Sequence, residues 1–559
     1  MDKLILDYVY EHEEHRSKQL FLTQPIGHGQ VRNFTWGETM DEARRMAAYL
    51  ESLGYERGAR IAILSKNSAY FVIAELAIWM AGYTTVAIFP TETPATVQYV
   101  LEHSDASLLF VGGLDAFDQQ AQAVPAGMPC IALPFAPRTG YLQWDEIITK
   151  TEPITGNPRR TGDELMFIVY TSGSTGTPKG VMHSFEGGTR ASEGLARETY
   201  GLPSTHGGVD YRVLSYLPLA HIFERAVVEC ASLVLGCTQI FFNENLETFR
   251  ADLLRARPTL FISVPRLWLK FQQGVLAEIP QRKLDVLLSL PIISTIVKRK
   301  ILKKLGLDQV VEAGTGSAPT PVSVLGWYRR LGLNLSEGLG MTEDFLYSHI
   351  SRGPRAVLGS VGQPHPGVQR QIAPDGELLL RSPGTFVGYY KRPDLDAEAF
   401  TEDGFFCTGD LAEIDAEGNL KLIGRKKEIF KTAKGKFVAP VPIETIINEH
   451  EMVEFSIVTG VGQAAAFAVV VPTAAISTRL GESEVKRAFE TEMADILKRI
   501  NAAVADHERL HMIVVSNEPW TIENGCLTPT LKIKRSGIEA RLEASVDSWF
   551  AKREAVVWA

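Results

Sequence analysis

Short apolar runs rich in β-branched residues alternate with amphipathic helical stretches along most of this chain. That alternation restricts the fold to layered α/β architecture with largely parallel sheets. Asp41 to Ser52 reads as an amphipathic helix, and Ala59 to Leu64 and Ala106 to Val111 as strands. The run FVIAELAIWMAGYTTVAIFP, Phe71 to Pro90, is long enough to cross a bilayer. Glu75 interrupts it, however, and Gly82 and Tyr83 divide it into a helix-like half and a β-branched half. It predicts a buried helix followed by a buried strand. Later come β-rich pieces, GELLLRSP (Gly376 to Pro383) and AEIDAEGNLKLIGR (Ala412 to Arg425), the second a hairpin about its Ala-Glu-Gly turn.

At 559 residues and 45% hydrophobic content the chain exceeds one ordinary domain. Its composition changes after Arg425, where KKEIFKTAKGK (Lys426 to Lys436) carries five lysines in eleven positions. The expected organisation is a large N-terminal domain, 1–425, of layered α/β subdomains with a β-rich piece, and a small C-terminal α/β domain, 426–559. A net charge of −9 argues against a nucleic-acid partner. Cysteines at 130, 230, 237, 407 and 526 fit neither a disulfide framework nor a zinc knuckle. The N-terminus, MDKLILDYVYEHEEHRSKQ, is no secretory signal, so the cytoplasm is the expected location.

The chemistry concentrates in YTSGSTGTPKG, Tyr170 to Gly180, which follows the apolar strand ELMFIVY and precedes VMHS. Gly173, Gly176 and Gly180 permit positive φ and close approach. Thr171, Ser172, Ser174, Thr175 and Thr177 supply hydroxyls, and Lys179 a mobile cation. Backbone N–H groups, hydroxyls and a cation converging on one spot suit a polyphosphate. The pattern is not a Walker A loop, because Pro178 precedes Lys179 and Gly180 follows it. A rival fingerprint, Gly460-Val461-Gly462 with Ala465, runs into the strand-like AAAFAVVVP rather than a helix, and so predicts a hairpin turn.

YTSGSTGTPKG resembles the phosphate loop of the adenylate-forming superfamily of acyl-CoA synthetases, peptide-synthetase adenylation domains and firefly luciferase. Other segments follow in that family's order. SYLPLAHIFER (Ser215 to Arg225) and PTLFISVPRLW (Pro258 to Trp268) resemble core segments of long-chain acyl-CoA synthetases. GSAP (Gly316 to Pro319) and EGLGMTE (Glu337 to Glu343) resemble adenine-site segments. FFCTGD (Phe405 to Asp410) and GRKKEIFKTAKGKFVAP (Gly424 to Pro440) resemble ribose and hinge segments, and NGCLTPTLKIKR (Asn524 to Arg535) the closing segment. The resemblance spans about Phe34 to Arg535.

The resemblance implies a two-step ligase. A carboxylate attacks the α-phosphate of ATP to give an acyl-adenylate, and the thiol of coenzyme A then takes the acyl group. The small domain would be mobile, with one pose for each step. Thr171, Ser172, Gly173, Ser174, Thr175, Gly176 and Lys179 would hold phosphates. Gly316, Ser317, Ala318, Glu337, Gly338, Leu339, Gly340, Met341 and Thr342 would line the nucleotide site. Thr175 and Glu343 would hold Mg2+. Asp410 would accept from the ribose hydroxyls, a role suited to an acceptor-only carboxylate, with Arg425 nearby. Lys532 would stabilise the adenylation transition state, with Lys534 as competitor. His221 would sit near the substrate carboxylate, Lys427 would be the hinge, and Lys434, Gly435 and Lys436 would face coenzyme A.

Two departures stand out. Leu339 replaces the family's usual tyrosine, leaving an apolar wall without aromatic stacking. Cys526 replaces a bulkier aliphatic, and no catalytic role is assigned to it. The best fit is to enzymes acting on medium- to long-chain fatty acids, with acyl-lining candidates in Ile222 to Ala231 and near Trp268. The alternative is an adenylating enzyme that passes its acyl group to a carrier-protein thiol or another acceptor. KRKILKK, Lys298 to Lys304, beside LLSLPIISTIV allows a peripheral membrane contact, although a solvated helix packed on the core is the simpler reading. Oligomeric state stays open.

Overall fold

The computed structural model describes residues 3–172, 177–200, 211–353, 356–528 and 532–559. The loop residues Gly173, Ser174, Thr175 and Gly176 lie outside this set, as does the side chain of Ser172.

The alternation builds the layers expected from it. An eight-stranded sheet runs in the order Gly388–Tyr389, Pro178–Ser184, Leu165–Ser172, Thr84–Ile88, Arg60–Leu64, Ala106–Val111, Cys130–Ala132, Leu142–Gln143. From Leu165–Ser172 to Leu142–Gln143 every neighbour is parallel, whereas the two strands at the other end are antiparallel. Strands buried on both faces need no polar alternation, and Thr84–Ile88 is buried at every position. The apolar run resolves into the helix Ala69–Met80, buried throughout, and this strand. No helix among the described residues is long and apolar enough to cross a membrane.

The first helix of the layer spans Trp36–Ser52 rather than starting at Asp41. Thr35 caps it by accepting from the Glu38 backbone, and the Glu38 side chain returns the bond to Thr35. This reciprocal capping box sets the N-terminus a turn earlier than hydrophobic periodicity does.

A five-stranded sheet begins with the parallel strands Leu260–Ser263, Glu312–Thr315 and Leu335–Leu339. A third sheet combines Tyr211–Ser215 and Thr238–Phe242 with Leu20–Pro25 and Val31–Thr35. The β-rich piece is a four-stranded antiparallel sheet, Gln369–Ile372, Glu377–Arg381, Phe406–Ile414 and Leu420–Arg425.

Beyond it lies a four-stranded sheet of Val453–Thr459, Ala466–Pro472, Leu510–Val515 and Val556–Trp558. The first pair is antiparallel, so Gly460 to Ala465 is a hairpin turn. Alternation along Ala466–Pro472 divides two cores. Ala468 and Val470 pack with Phe489, Met493 and Ile500 of the helix Ser483–Ala503. Phe467, Val469 and Val471 pack with Ile538 and Trp549 on the opposite face. Among the described residues no buried cluster mixes side chains up to Leu422 with those from Phe430 onward.

Glu75, the charge inside the apolar run, has a structural partner. It pairs with Arg225 of AHIFER, and both side chains are fully buried. The guanidinium also donates to the Leu219 carbonyl at 3.1 Å and lies 4.7 Å from the Phe167 ring centre. Burial raises the nearby Glu229 carboxyl well above its ordinary range. Breaking such a pair from one side strands a charge in the core, at a cost of about 3–5 kcal/mol. Glu75→Ala should therefore lower the urea unfolding midpoint sharply. Glu75→Leu combined with Arg225→Met should recover most of the loss, which a comparison of the three midpoints will check.

Candidate active site

The phosphate loop joins two antiparallel strands, with Thr171 opposite Lys179 and Ser172 opposite Pro178. The described residues on either side of the loop are therefore two antiparallel strands. Gly180 is needed by packing, since a Cβ there would sit 2.9 Å from Ile168 and 3.2 Å from the Tyr170 ring. The carbonyl of Gly180 accepts from Tyr390 N at 2.8 Å, which draws in the Gly388–Tyr389 strand. Tyr389 in turn places its ring 5.0 Å from Lys179 Nζ and donates its hydroxyl to Glu343 Oε1 at 2.8 Å. Lys179 and Glu343 thus flank one aromatic ring.

EGLGMTE supplies the strand Leu335–Leu339 and a tight turn over Thr342–Asp344. Gly340 is obligatory there, because a Cβ would meet the Leu346 Cα at 2.6 Å. The turn is held from both sides. Burial lowers His183 to about 4, so its neutral ring donates Nε2–H to the Thr342 carbonyl at 2.8 Å. Asp344 accepts from Met341 N at 2.9 Å, and burial raises its carboxyl to about 8. Glu337 accepts from Thr320 N at 2.7 Å beside the Gly316–Ala318 segment, where Ser317 takes a positive φ of 67°. Burial raises Glu337 to about 7. Leu339 packs into the apolar cluster with Leu378, Leu380, Ala412 and Leu420 and is only 9% exposed.

Asp410 and Arg425 face each other on one rung of the antiparallel sheet, with Arg425 Nε 2.6 Å from Asp410 Oδ1. Asp410 is 4% exposed, and its second oxygen, Oδ2, has no hydrogen-bond partner. An unpaired buried carboxylate oxygen is costly unless something donates to it. Burial raises this carboxyl to about 6, although Arg425 opposes the shift.

Lys532 comes from the far end of the chain. Its backbone N–H donates to Thr528 Oγ1, and its carbonyl accepts from Thr528 N. Lys534 N donates to the carbonyl of buried Cys526, which fixes the base of the same hairpin. Lys532 as a residue remains exposed, while its ammonium is surrounded by enough protein to be desolvated. That desolvation, together with Arg425, lowers it to about 8, while Glu343 and Asp410 hold it up. Lys534 instead lies within electrostatic reach of Glu92. Lys532 feels the Glu343 and Asp410 carboxylates, whereas Lys534 acts on Glu92.

His221 uses Nδ1 to accept from Phe223 N at 3.1 Å, capping the short helical turn Ile222–Glu224. Burial and Lys532 lower it to about 3, so it is a neutral ring with Nε2–H left as donor. Residues 222–231 are all buried, but Trp268 belongs to a different cluster and donates Nε1–H to the Gly314 carbonyl. The two groups of acyl-lining candidates do not share one core.

Lys426 is anchored to Asp375 at 2.6 Å and Glu377 at 2.8 Å. Glu377 also accepts from Gly409 N at 2.9 Å. Lys427 next to it is exposed, within the turn that follows Arg425. Lys434, Gly435 and Lys436 form an exposed turn between Phe430–Lys431 and Phe437–Val438, with Gly435 at φ 76°. Arg266 crosses to Glu454 and covers the Phe455 ring, and Ser323 donates to Glu449 at 3.0 Å. Among the described residues no cluster of His, Cys, Asp or Glu forms a ready-made metal cage.

A profile described as "AMP-binding enzyme" matches residues 11–390, and one described as "AMP-binding enzyme C-terminal domain" matches 427–554. The chain belongs to the AMP-binding enzyme family. Among curated relatives of this AMP-binding enzyme is the long-chain-fatty-acid--CoA ligase FadD15 of Mycobacterium tuberculosis, 28% identical and covering 97% of this chain and 96% of the relative. The peroxisomal long chain acyl-CoA synthetase 6 of Arabidopsis thaliana is 27% identical, covering 91% of this chain and 80% of its own length. In fold the chain matches the A domain of a carboxylic acid reductase from Segniliparus rugosus, solved with AMP and a co-purified carboxylic acid. The TM-score is 0.80 at 22% identity, covering 99% of this chain and 95% of that one. It also matches the anthranilate CoA ligase AuaEII with anthranoyl-AMP, at TM-score 0.79 and 20% identity, covering 98% of each chain.

The two displaced pKa values predict a bell-shaped kcat/KM for adenylate formation in this AMP-binding enzyme. Asp410 protonates as pH falls through about 6 and loses its acceptor; Lys532 loses its charge as pH rises through about 8. Lys532→Arg should shift the alkaline limb upward, as measured by pyrophosphate release across pH.

Proposed function

We propose that the protein activates a medium- to long-chain fatty acid with ATP and transfers it to coenzyme A, releasing AMP and pyrophosphate. The observation that carries this reading is that Asp410, with its unpartnered buried oxygen, and Glu343, which shares the Tyr389 ring with Lys179, both lie within electrostatic reach of Lys532. The Oδ2 of Asp410 suits a ribose hydroxyl, and Arg425 holds the carboxylate in place for it. Lys179 and the hydroxyls of the Tyr170–Gly180 loop suit the phosphates; Thr175 of that loop falls outside the described residues.

Glu343 and Thr175 would hold Mg2+, which when bound shields phosphate charge and orients the oxygens for in-line attack. Glu343 fits an oxygen-ligand site, because the Tyr389 hydroxyl donates to one of its oxygens and orients the carboxylate. Lys532 supplies positive charge where the carboxylate and the α-phosphate share developing negative charge, an electrostatic contribution of the kind that dominates such transfers. The Nε2–H of neutral His221 can donate to the incoming carboxylate. Thioester formation then calls for a second pose of the small domain, 426–559, about Lys427. In that pose Lys434, Gly435 and Lys436, exposed in the present arrangement, would meet coenzyme A.

Lys532→Ala should abolish adenylate formation and spare thioester formation from supplied acyl-adenylate; equal loss in both assays would remove Lys532 from the adenylation role. Lys427→Pro, which fixes φ, should slow the switch between half-reactions. Wild-type rates in both would rule out the hinge. The overall reading is tested by incubation with ATP, magnesium and a mixed acid panel, with and without coenzyme A, and product identification by mass. Fatty acyl-CoA is the expected product. Adenylate that accumulates and never becomes thioester would favour a carrier-protein acceptor instead.

A further inference from the structure

The helices Gln281–Ser289 and Pro291–Leu305 form a hairpin with a settled inner side. Leu284 and Ile301 are buried in the cluster around Trp268, and Val297, Leu302 and Leu305 pack against it. The outer side is apolar and uncovered at its tip. Ile292 is 80% exposed and Ile296 62%, with exposed Val286, Leu290 and Ile293 beside them. Ile292, Ile296, Arg299 and Lys303 stand at i, i+4, i+7 and i+11, which aligns them in one stripe opposite buried Ser294 and Ile301. The stripe is aliphatic over its first turns and cationic over its last.

Charge singles out this face. Between Gln281 and Leu305 the chain carries seven Lys or Arg and one acid, Asp285, in a protein of net charge −9. Lys304 pairs with Glu278, and Asp285 with Arg330. Among the described residues Arg282, Lys283, Lys298, Arg299, Lys300 and Lys303 form no ion pair. A row of outward aliphatics merging into unpaired cations matches an interface that is apolar below and anionic above: acyl chains beneath acidic headgroups. A second copy fits poorly, because a twofold contact would press this cationic surface against itself. The outer helix spans only about 22 Å at 1.5 Å per residue, so it can lie on a bilayer but not cross it.

We propose that the outer face of the Gln281–Leu305 hairpin docks the protein on an anionic lipid surface, with Ile292 and Ile296 at the acyl boundary and Arg299, Lys300 and Lys303 among the headgroups. This goes beyond the ligase reading and does not depend on it.

The test is flotation of the full chain, without ATP or acid, on vesicles of phosphatidylcholine alone and of an equal mixture with phosphatidylglycerol. Binding should be confined to the mixed vesicles and weaken in high salt. Arg299→Glu with Lys300→Glu and Lys303→Glu should weaken it at least about tenfold, and Ile292→Ser with Ile296→Ser should do so independently. No binding, equal binding to both vesicles, or binding unchanged in the two variants would overturn the proposal. So would a drop in solution mass on Ile292→Ser with Ile296→Ser, which would make the face a contact between copies. Failure here leaves the ligase reading intact, whereas vesicle binding by a chain that forms no acyl product would sink only that reading.

Discussion

The antiparallel pairing of Leu165–Ser172 with Pro178–Ser184, at one end of an otherwise parallel run of strands, sets the position of nearly everything around the nucleotide cleft. Its register places Thr171 across from Lys179 and leaves the glycine-rich residues as the connecting loop. Its outer strand recruits Gly388–Tyr389, which carries the Tyr389 ring between Lys179 and Glu343. From the same strand His183 reaches the Thr342 carbonyl. A slip of one residue would reverse every side chain on the strand, separating the lysine, the tyrosine and the histidine from their partners at once. Gly180 and its close neighbours Ile168 and Tyr170 guard against that slip.

Two kinds of buried charge serve different ends. Glu75 and Arg225 neutralise each other among aromatic rings, and they lock a helix against the segment Ser215–Arg225. Asp410 is held by Arg425 on one oxygen only, and Lys532 is displaced from its ordinary value with no ion-pair partner among the described residues. The first pattern closes on itself. The second leaves an unsatisfied acceptor within electrostatic reach of a displaced lysine, which is what a polar ligand needs.

The layered α/β class, the hairpin at Gly460 to Ala465 and the split of the long apolar run were legible in the sequence because each is a local pattern. What escaped was long-range pairing. His183 meets Thr342 across 159 positions and Tyr389 meets Glu343 across 46, and neither residue announces its partner. Lys426, Asp375 and Glu377 read as ordinary surface charge until the sheet brings them together. The start of the helix Trp36–Ser52 was legible in principle, since Thr35 and Glu38 stand at capping-box spacing, but periodicity alone passes over it. Leu339, matched by resemblance to a tyrosine position, is also a member of the local core, which sequence alone does not show.

Asp410 and Arg425 share one rung of a single sheet, whereas Lys532 arrives on a hairpin from the far end of the chain. The separation of the first pair is fixed by strand spacing and does not change when that hairpin moves. On the reading proposed above, withdrawing Lys532 would remove the adenylation cation while the ribose acceptor Asp410 stayed in place. A nucleotide could therefore remain seated through successive chemical stages, and its departure would be timed by the strength of its own grip rather than by the opening of the cleft.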